Sequence, residues 1–284
     1  MGVTPWLRRL GWATLVANCV LVVTGGAVRL TDSGLGCPTW PRCSGGSFTP
    51  HAAMGIHSAI EFGNRTLTFL LAAIAIATFV VAWRSGRNEL RVLALILALS
   101  IPAQAVIGGI TVLTDLNPWV VSFHLLCSLA IVGLAVLFLR RLDHPSPRVS
   151  RGPVPMLAWA TFASAWVVMY VGTVVTGSGP HAGDIHSPRN GLSSLDLSQL
   201  HADLVFLFVG LTVGLLFVVL ATGLTSARRS VTVLLAVELA QGTIGFVQYF
   251  TGLPVVIVGF HVFGAALISA AVTWALLEVR EPTG

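Results

Sequence analysis

The sequence predicts an all-α integral membrane protein with eight transmembrane helices, arranged as two tandem, pseudo-symmetric four-helix bundles. Three observations predict this fold: the composition, the spacing of long apolar runs and an internal repeat. Of 284 residues, 55% are hydrophobic and 10% are charged, whereas a soluble domain carries about 25% charged residues. A chain so poor in charge is typical of a protein whose surface faces lipid.

Eight runs are apolar over about the twenty residues that a helix needs to cross the hydrocarbon core. They cover roughly residues 11–30, 60–83, 92–113, 119–139, 154–176, 199–223, 231–250 and 255–277. The first run continues past signal-peptide length and lacks a small-residue cleavage site, so we expect the first helix to remain in the mature chain.

All sixteen basic residues are arginine, and their distribution predicts the orientation. Eight spans put both termini on one side, where twelve arginines fall against two opposite, while Arg29 and Arg65 lie at or inside helix ends. The twelve are Arg8, Arg9, Arg84, Arg87, Arg91, Arg140, Arg141, Arg148, Arg151, Arg228, Arg229 and Arg280, and the two are Arg42 and Arg189. This asymmetry predicts cytoplasmic termini in a cell membrane, and short arginine clusters between apolar runs do not indicate nucleic acid as a partner.

An internal repeat relates the two halves of the chain. Residues 104–124 align without a gap with residues 241–261 and are identical at eight of 21 positions, including QxxIG at the start and VxFH at the end. The repeat predicts an N-terminal half at 1–142, a cytoplasmic linker at 143–152 and a C-terminal half at 153–284. Its offset of 137 residues places His124 opposite His261 and Asn64 opposite His201.

His201 and His261 lie in the outer thirds of separate predicted helices. Two imidazoles that face each other across a bundle can ligate a haem iron from both sides, and ionisable groups inside a membrane are usually functional. The alternative is a pair of core histidines bonded to their neighbours. In the first half His124 is a good ligand and Asn64 a poor one, so a haem there would be held loosely, as suits a substrate. His57 is one substitute ligand, and the alternative is a decayed site.

Glu61 precedes Asn64 by three residues, so both side chains share one face of a helix. A buried carboxylate beside the first site is a candidate proton acceptor. The alternative is a structural ion pair with Arg65 or Arg29. The guanidinium groups of Arg29 and Arg65 could equally pair with haem propionates.

Two outer loops, the first at about 31–56 and the second at about 177–198, are long enough to carry function. Cys37 and Cys43 enclose the segment CPTWPRC in the first of them, and we expect a disulfide there because the outer face is oxidising. That disulfide could be redox-active or structural, and a zinc site is disfavoured because the loop supplies only two thiols. The second loop holds His181, Asp184 and His186, which could close over a haem edge, bind a metal weakly or form a solvated turn.

Five segments, taken together, resemble the haem A synthase family: GGAVRLTDSGLGCPTWPRC, IEFGNR, QAVIGGITVLT, VVTGSGPHAGD and QYFTGLP. They follow one another through nearly the whole chain, and the first, whose Cys37 and Cys43 match the family's cysteine pair, is the most specific. The resemblance implies two four-helix bundles that oxidise the C8 methyl of haem O to the formyl group of haem A, a step in making cytochrome oxidase.

Position by position, the resemblance makes His201 and His261 the ligands of a resident haem B. It places His124 at a ligand of the substrate haem and Glu61 at the carboxylate implicated in catalysis. The chain departs from the family at Asn64, where many members have histidine, so bis-histidine ligation of the substrate haem is not implied here.

The expected partners are haem O, the enzyme that produces it, an unidentified electron acceptor and the lipid bilayer, with homo-oligomerisation left open. One rival hypothesis is a b-type cytochrome that only transfers electrons, which leaves Glu61 and the cysteine pair without a role. Another is a transporter built on the repeat. Such transporters commonly bind near the membrane midplane, whereas the polar positions here lie nearer the outer surface.

Overall fold

The structure, a computed structural model, describes residues 5–51, 54–145 and 150–281. These residues form eight α-helices joined by turns and irregular loops. The helices are α1 (Pro5–Leu30), α2 (Gly55–Arg84), α3 (Asn88–Leu113), α4 (Pro118–Asp143), α5 (Pro153–Ser178), α6 (Ser194–Ala221), α7 (Thr225–Phe250) and α8 (Val255–Arg280). All eight are long and apolar enough to cross a membrane, so the prediction of an all-α protein with eight such helices is confirmed. Arg148 and residues 146–149 of the predicted linker lie outside the described residues.

The helices are longer than the apolar runs that predicted them, because helical hydrogen bonds continue into the polar ends of a span. α6 begins five residues before its predicted run, where the Ser193 hydroxyl accepts a hydrogen bond from the backbone N–H of Asp196. This is a typical helix N-cap. α6 ends at Ala221, before the predicted limit of 223, because Gly223 takes a φ of 68° that helix C-termini favour.

The helices pack in two rings of four. In the first ring α1 contacts α2 and α4, and α3 contacts the same two helices; α5 to α8 repeat this pattern. The rings meet where α4 contacts α8, with α1 against α8 and α5 against α4 on either side. α4 and α8 are therefore the central helices, and they carry the repeat-equivalent His124 and His261.

Small and hydroxyl side chains hold the two central helices close together. The Ser269 hydroxyl of α8 donates to the carbonyl of Leu129 in α4 at 2.7 Å. A Cβ at Gly133 of α4 would lie 2.9 Å from the Thr273 hydroxyl of α8, so only glycine permits this approach. Near the last turn of both helices Arg140 forms an ion pair with Glu278 at 3.2 Å. These contacts fix the relative position of the two helices.

Candidate functional site

His201 of α6 and His261 of α8 face each other across the second ring. Their ring centroids lie 6.4 Å apart with the ring planes at 74°. A metal bound at about 2 Å to one nitrogen of each ring, on opposite sides, would separate the ring centres by about 6 Å. The two imidazoles therefore stand at a separation that one metal ion can bridge.

Glycines of the neighbouring helices lie against the imidazole rings. A Cβ at Gly172 of α5 would lie 3.0 Å from Cε1 of His201, and one at Gly245 of α7 would lie 3.4 Å from Cε1 of His261. In the first ring, Gly108 of α3 stands in the same relation to His124, also at 3.4 Å. Gly108 and Gly245 are equivalent in the repeat, so both halves keep a glycine beside the histidine of the central helix.

Two repeat-equivalent glutamines hold the backbone of those histidines. Gln241 Nε2 donates to the carbonyl of His261 at 2.7 Å, and Gln104 Nε2 donates to the carbonyl of His124 at 3.4 Å. In the sequence these glutamines serve only to align the two halves. The repeat does carry a signal that these glutamines position the histidines, because each glutamine precedes its histidine by the same 20 residues.

The buried imidazoles of His124 and His261 have the chemistry of haem-iron ligands. Among the described residues, the buried Nδ1 atoms of His124 and His261 have no hydrogen-bond partner, whereas core histidines normally bond to a neighbouring group. Ligating imidazoles usually donate their second N–H to a neighbour. In this protein each of these rings lies beside a glycine of a neighbouring helix.

Asn64 of α2 is half-buried and bonded to α1. Its Oδ1 accepts a hydrogen bond from the Thr24 hydroxyl at 2.7 Å. This bond uses one of the two lone pairs of the amide oxygen and ties the side chain to α1, and a neutral amide oxygen is a weaker iron ligand than an imidazole. Thr24 could not be predicted as a partner of Asn64, since nothing in the repeat marks it.

Glu61 of α2 is only 5% exposed and holds the first outer loop. Its Oε2 accepts the backbone N–H of Cys37 at 2.7 Å, and its Oε1 accepts from Arg65 Nε at 3.1 Å. Arg65 also donates to the carbonyls of Cys37 and Thr39, each at 3.1 Å. The structural alternative for Glu61, an ion pair with Arg65, is thus present, and its role as a proton acceptor stays a prediction.

The first outer loop is closed by its cysteine pair. The Sγ atoms of Cys37 and Cys43 lie 2.02 Å apart, at disulfide-bonding distance as predicted, and both residues are fully buried. The Trp40 indole packs so closely on α3 that a Cβ at Gly109 would overlap it. Together with the Glu61 contacts, this packing places the loop over the outer ends of α2 and α3.

The remaining polar candidates are bonded within the outer loops. Arg29 donates to the carbonyls of His181 at 2.7 Å and Thr176 at 3.0 Å, which ties α1 to the second outer loop. His181 Nε2 lies 2.9 Å from the carbonyl of Leu253 in the short loop between α7 and α8. Pairing of Arg29 or Arg65 with a propionate stays a prediction, since both guanidinium groups already donate to protein oxygens.

Two further residues of the predicted set have local partners. Asp184 accepts the backbone N–H of His186 at 2.8 Å, which forms a turn in the second outer loop. His57, near the start of α2, has its Nδ1 3.0 Å from the Ser33 hydroxyl.

Comparison with known proteins gives a family match over more than half of the chain. Residues 8–183 match the sequence profile of the COX15-CtaA family, described as cytochrome oxidase assembly protein. A Halalkalibacterium halodurans protein named Heme A synthase is 30% identical over 178 residues, which cover 60% of this chain and 59% of that protein. A Lysinibacillus sphaericus protein of the same name is 29% identical over 180 residues, covering 59% of this chain and 58% of that protein.

A third similar protein has a different name. A Halobacterium salinarum protein named Protoheme IX farnesyltransferase is 30% identical over 141 residues, which cover 49% of this chain and 30% of that protein. In each of these three relatives the similar segment spans less than two thirds of the relative's own length.

Proposed function

We propose, because the chain belongs to the COX15-CtaA family of cytochrome oxidase assembly proteins, that it is a haem A synthase, a membrane oxidoreductase that converts the C8 methyl of haem O into the formyl group of haem A. The observation that carries the proposal is the 6.4 Å separation of the His201 and His261 rings. The relatives named Heme A synthase support it.

The proposed architecture is two pseudo-symmetric four-helix halves in a cell membrane, with both termini cytoplasmic. The two rings of helix contacts support the halves. The excess of arginines on the side of the termini supports the orientation.

In this proposal His201 and His261 hold a resident haem B, which supplies a one-electron redox centre when bound. His124 ligates the substrate haem in the first half. Conversion of a methyl to an aldehyde needs two successive two-electron oxidations. With water as the oxygen source, R–CH3 and H2O give R–CHO, four protons and four electrons, and the electrons pass to the electron acceptor. Glu61 would accept a proton there, and Arg65 orients its carboxylate.

The proposed partners are haem O, the enzyme that makes it and an electron acceptor. The Halobacterium salinarum relative supports the second partner, because a chain named for farnesyl transfer to protohaem contains a segment similar to about half of this one. A b-type cytochrome that only transfers electrons accounts for His201 and His261, but it leaves the first ring, with His124 and Glu61, without a role.

The test is to express the chain in cells that make haem O but no haem A, and to analyse extracted haems by chromatography and by their pyridine haemochrome spectra. We expect haem A to appear, and not in cells that carry the empty vector. If the purified protein contains haem B but the cells still contain only unconverted haem O, the result would support the electron-transfer cytochrome instead.

Replacement of Asn64 by histidine is expected to change the ligation of the substrate haem. Position 64 is the repeat equivalent of His201, so the variant offers His124 an opposing imidazole. Purified protein loaded with haem O should change from a mainly high-spin to a low-spin absorption spectrum at this site. Asn64→Gln keeps the amide and should remain high-spin. A high-spin spectrum in both variants would mean that positions 64 and 124 do not face the same iron.

A further inference from the structure

One face of α7 carries a row of polar side chains that no part of the proposed function uses. Glu238, Gln241 and Gln248 follow one another at spacings of three and seven residues, so they lie on one side of the helix. Within the described residues, Glu238 Oε2, Gln241 Oε1 and Gln248 Oε1 are buried and have no hydrogen-bond partner. Buried acceptors normally have a donor, so each of these three oxygens can accept a further hydrogen bond.

Glu238 lies near the middle of α7 and is 3% exposed. Its Oε1 accepts a hydrogen bond from the Thr212 hydroxyl of α6 at 2.6 Å, and no ion pair to it is found among the described residues. In the repeat, Glu238 corresponds to Ile101 of the first half and Thr212 corresponds to Ala75. Both first-half residues are buried. Because the first ring packs with apolar side chains at these two positions, packing does not require an acid here.

The helices packed against α7 present no charge at the depth of Glu238. α6 carries Asp196, His201 and Asp203 toward its outer end. α8 carries His261 toward its outer end, and Glu278 and Arg280 at its other end. α7 itself carries Arg228 and Arg229 in its first turns. A buried carboxylate without a counter-charge is costly inside a membrane. Proton binding removes that cost.

The polar face of α7 lies beside His261. Gly245 lies against the His261 ring and follows Glu238 by seven residues, or about 10 Å along the helix axis. Gln241 lies between Glu238 and Gly245 and donates a hydrogen bond to the His261 carbonyl. The Gln241 side chain packs against Gly264 of α8, where a Cβ would overlap it. Glu238 is thus close enough to the histidine site for charges to interact through a weakly screening interior.

We propose that Glu238 is a proton-binding site coupled to the redox state of the group held by His201 and His261, and that Gln241 and Gln248 mark its route to the outer surface. The inference rests on the proposed function for the presence of a haem. When that group gains one electron, from the substrate during turnover or from dithionite in the test, the Glu238 carboxylate takes up one proton from the outer aqueous phase. Reoxidation releases it. The electron and the proton favour each other's binding, and this coupling is reciprocal.

The test is a potentiometric titration of the purified holoprotein at a series of pH values. The midpoint potential of the low-spin haem should fall as pH rises, by up to about 59 mV for each tenfold decrease in proton activity. Glu238→Gln should remove this pH dependence and also the carboxylic acid C=O band from the reduced-minus-oxidised infrared spectrum. Glu89→Gln is the matched control, because Glu89 pairs with Arg141 near the start of α3; it should change neither signal.

Two further variants separate the parts of the proposal. Thr212→Val removes the hydroxyl donor and should shift the carboxylic acid band without abolishing it, which tests the assignment even if Glu238→Gln folds poorly. Gln248→Leu should slow proton uptake after rapid reduction several-fold and leave the equilibrium pH dependence intact.

A pH dependence and an infrared band that persist in Glu238→Gln would overturn the assignment of Glu238. An unchanged rate in Gln248→Leu would remove the glutamine route. Purified protein without any haem spectrum would contradict the proposed function instead, so the two failures are distinguishable.

Discussion

Replacement of His261 by alanine is expected to abolish the low-spin haem spectrum of the purified protein. The low-spin state requires two strong ligands, and within the described part of the second ring only His201 opposes His261 at a distance that one iron can bridge. Loss of one imidazole would leave the iron a single histidine ligand. The low-spin bands should disappear essentially completely, and His201→Ala should have the same effect.

Imidazole rescue distinguishes a lost ligand from a misfolded protein. His261→Gly leaves a cavity of the shape of the ring, so added imidazole should restore the low-spin bands. His186→Ala is the matched control, because His186 is exposed in the second outer loop; its spectrum should match that of the parent protein. A low-spin spectrum that survives in His261→Ala would refute this ligand and, with it, the observation that carries the proposed function.

The helices could be predicted from sequence because a membrane leaves the backbone few alternatives. Every backbone N–H and C=O within lipid must be hydrogen-bonded within the protein, and a continuous apolar run of about twenty residues achieves this as a helix. The ends of the helices were less predictable, because they depend on local caps. The Ser193 side chain starts α6 early and the backbone conformation of Gly223 ends it, and neither is visible in hydropathy.

The site was predictable where the two halves agree and unpredictable where they differ. His201 and His261 emerged from a repeat offset, and the structure places their rings opposite each other. Glu238 and Thr212 were missed because their first-half equivalents are apolar, so the repeat gives no signal there. The bond from Thr24 to Asn64 joins residues 40 positions apart. The spacing of two residues in the sequence does not predict a tertiary contact of this kind between different helices.

The environment of Glu61 was predicted only in part. An ion pair with Arg65, four residues later, follows from helix geometry. The second partner, the backbone N–H of Cys37, depends on how the disulfide loop folds back over α2. This contact changes the design of the experiment, because removal of the whole side chain would release the loop as well as remove the carboxylate.

Glu61→Gln is therefore the informative substitution, and it is expected to abolish most haem A formation while bound haem is retained. The amide keeps an oxygen that can accept the Cys37 N–H, but it cannot take up a proton. Loss of a proton acceptor typically lowers a rate by about 10²-fold or more. Haem A formation in cells that supply haem O should fall by that order, and the haem content of the purified protein should stay unchanged.

Arg65→Gln is the matched variant, because it breaks the same ion pair and leaves the carboxylate in place. If Glu61 acts on a proton, Arg65→Gln should retain measurable haem A formation, with its loss of loop contacts appearing as lower thermal stability. Equal losses of activity and of haem content in both variants would show that the pair only docks the disulfide loop. Full activity in Glu61→Gln would remove this carboxylate from the chemistry, and the proton acceptor would have to lie elsewhere.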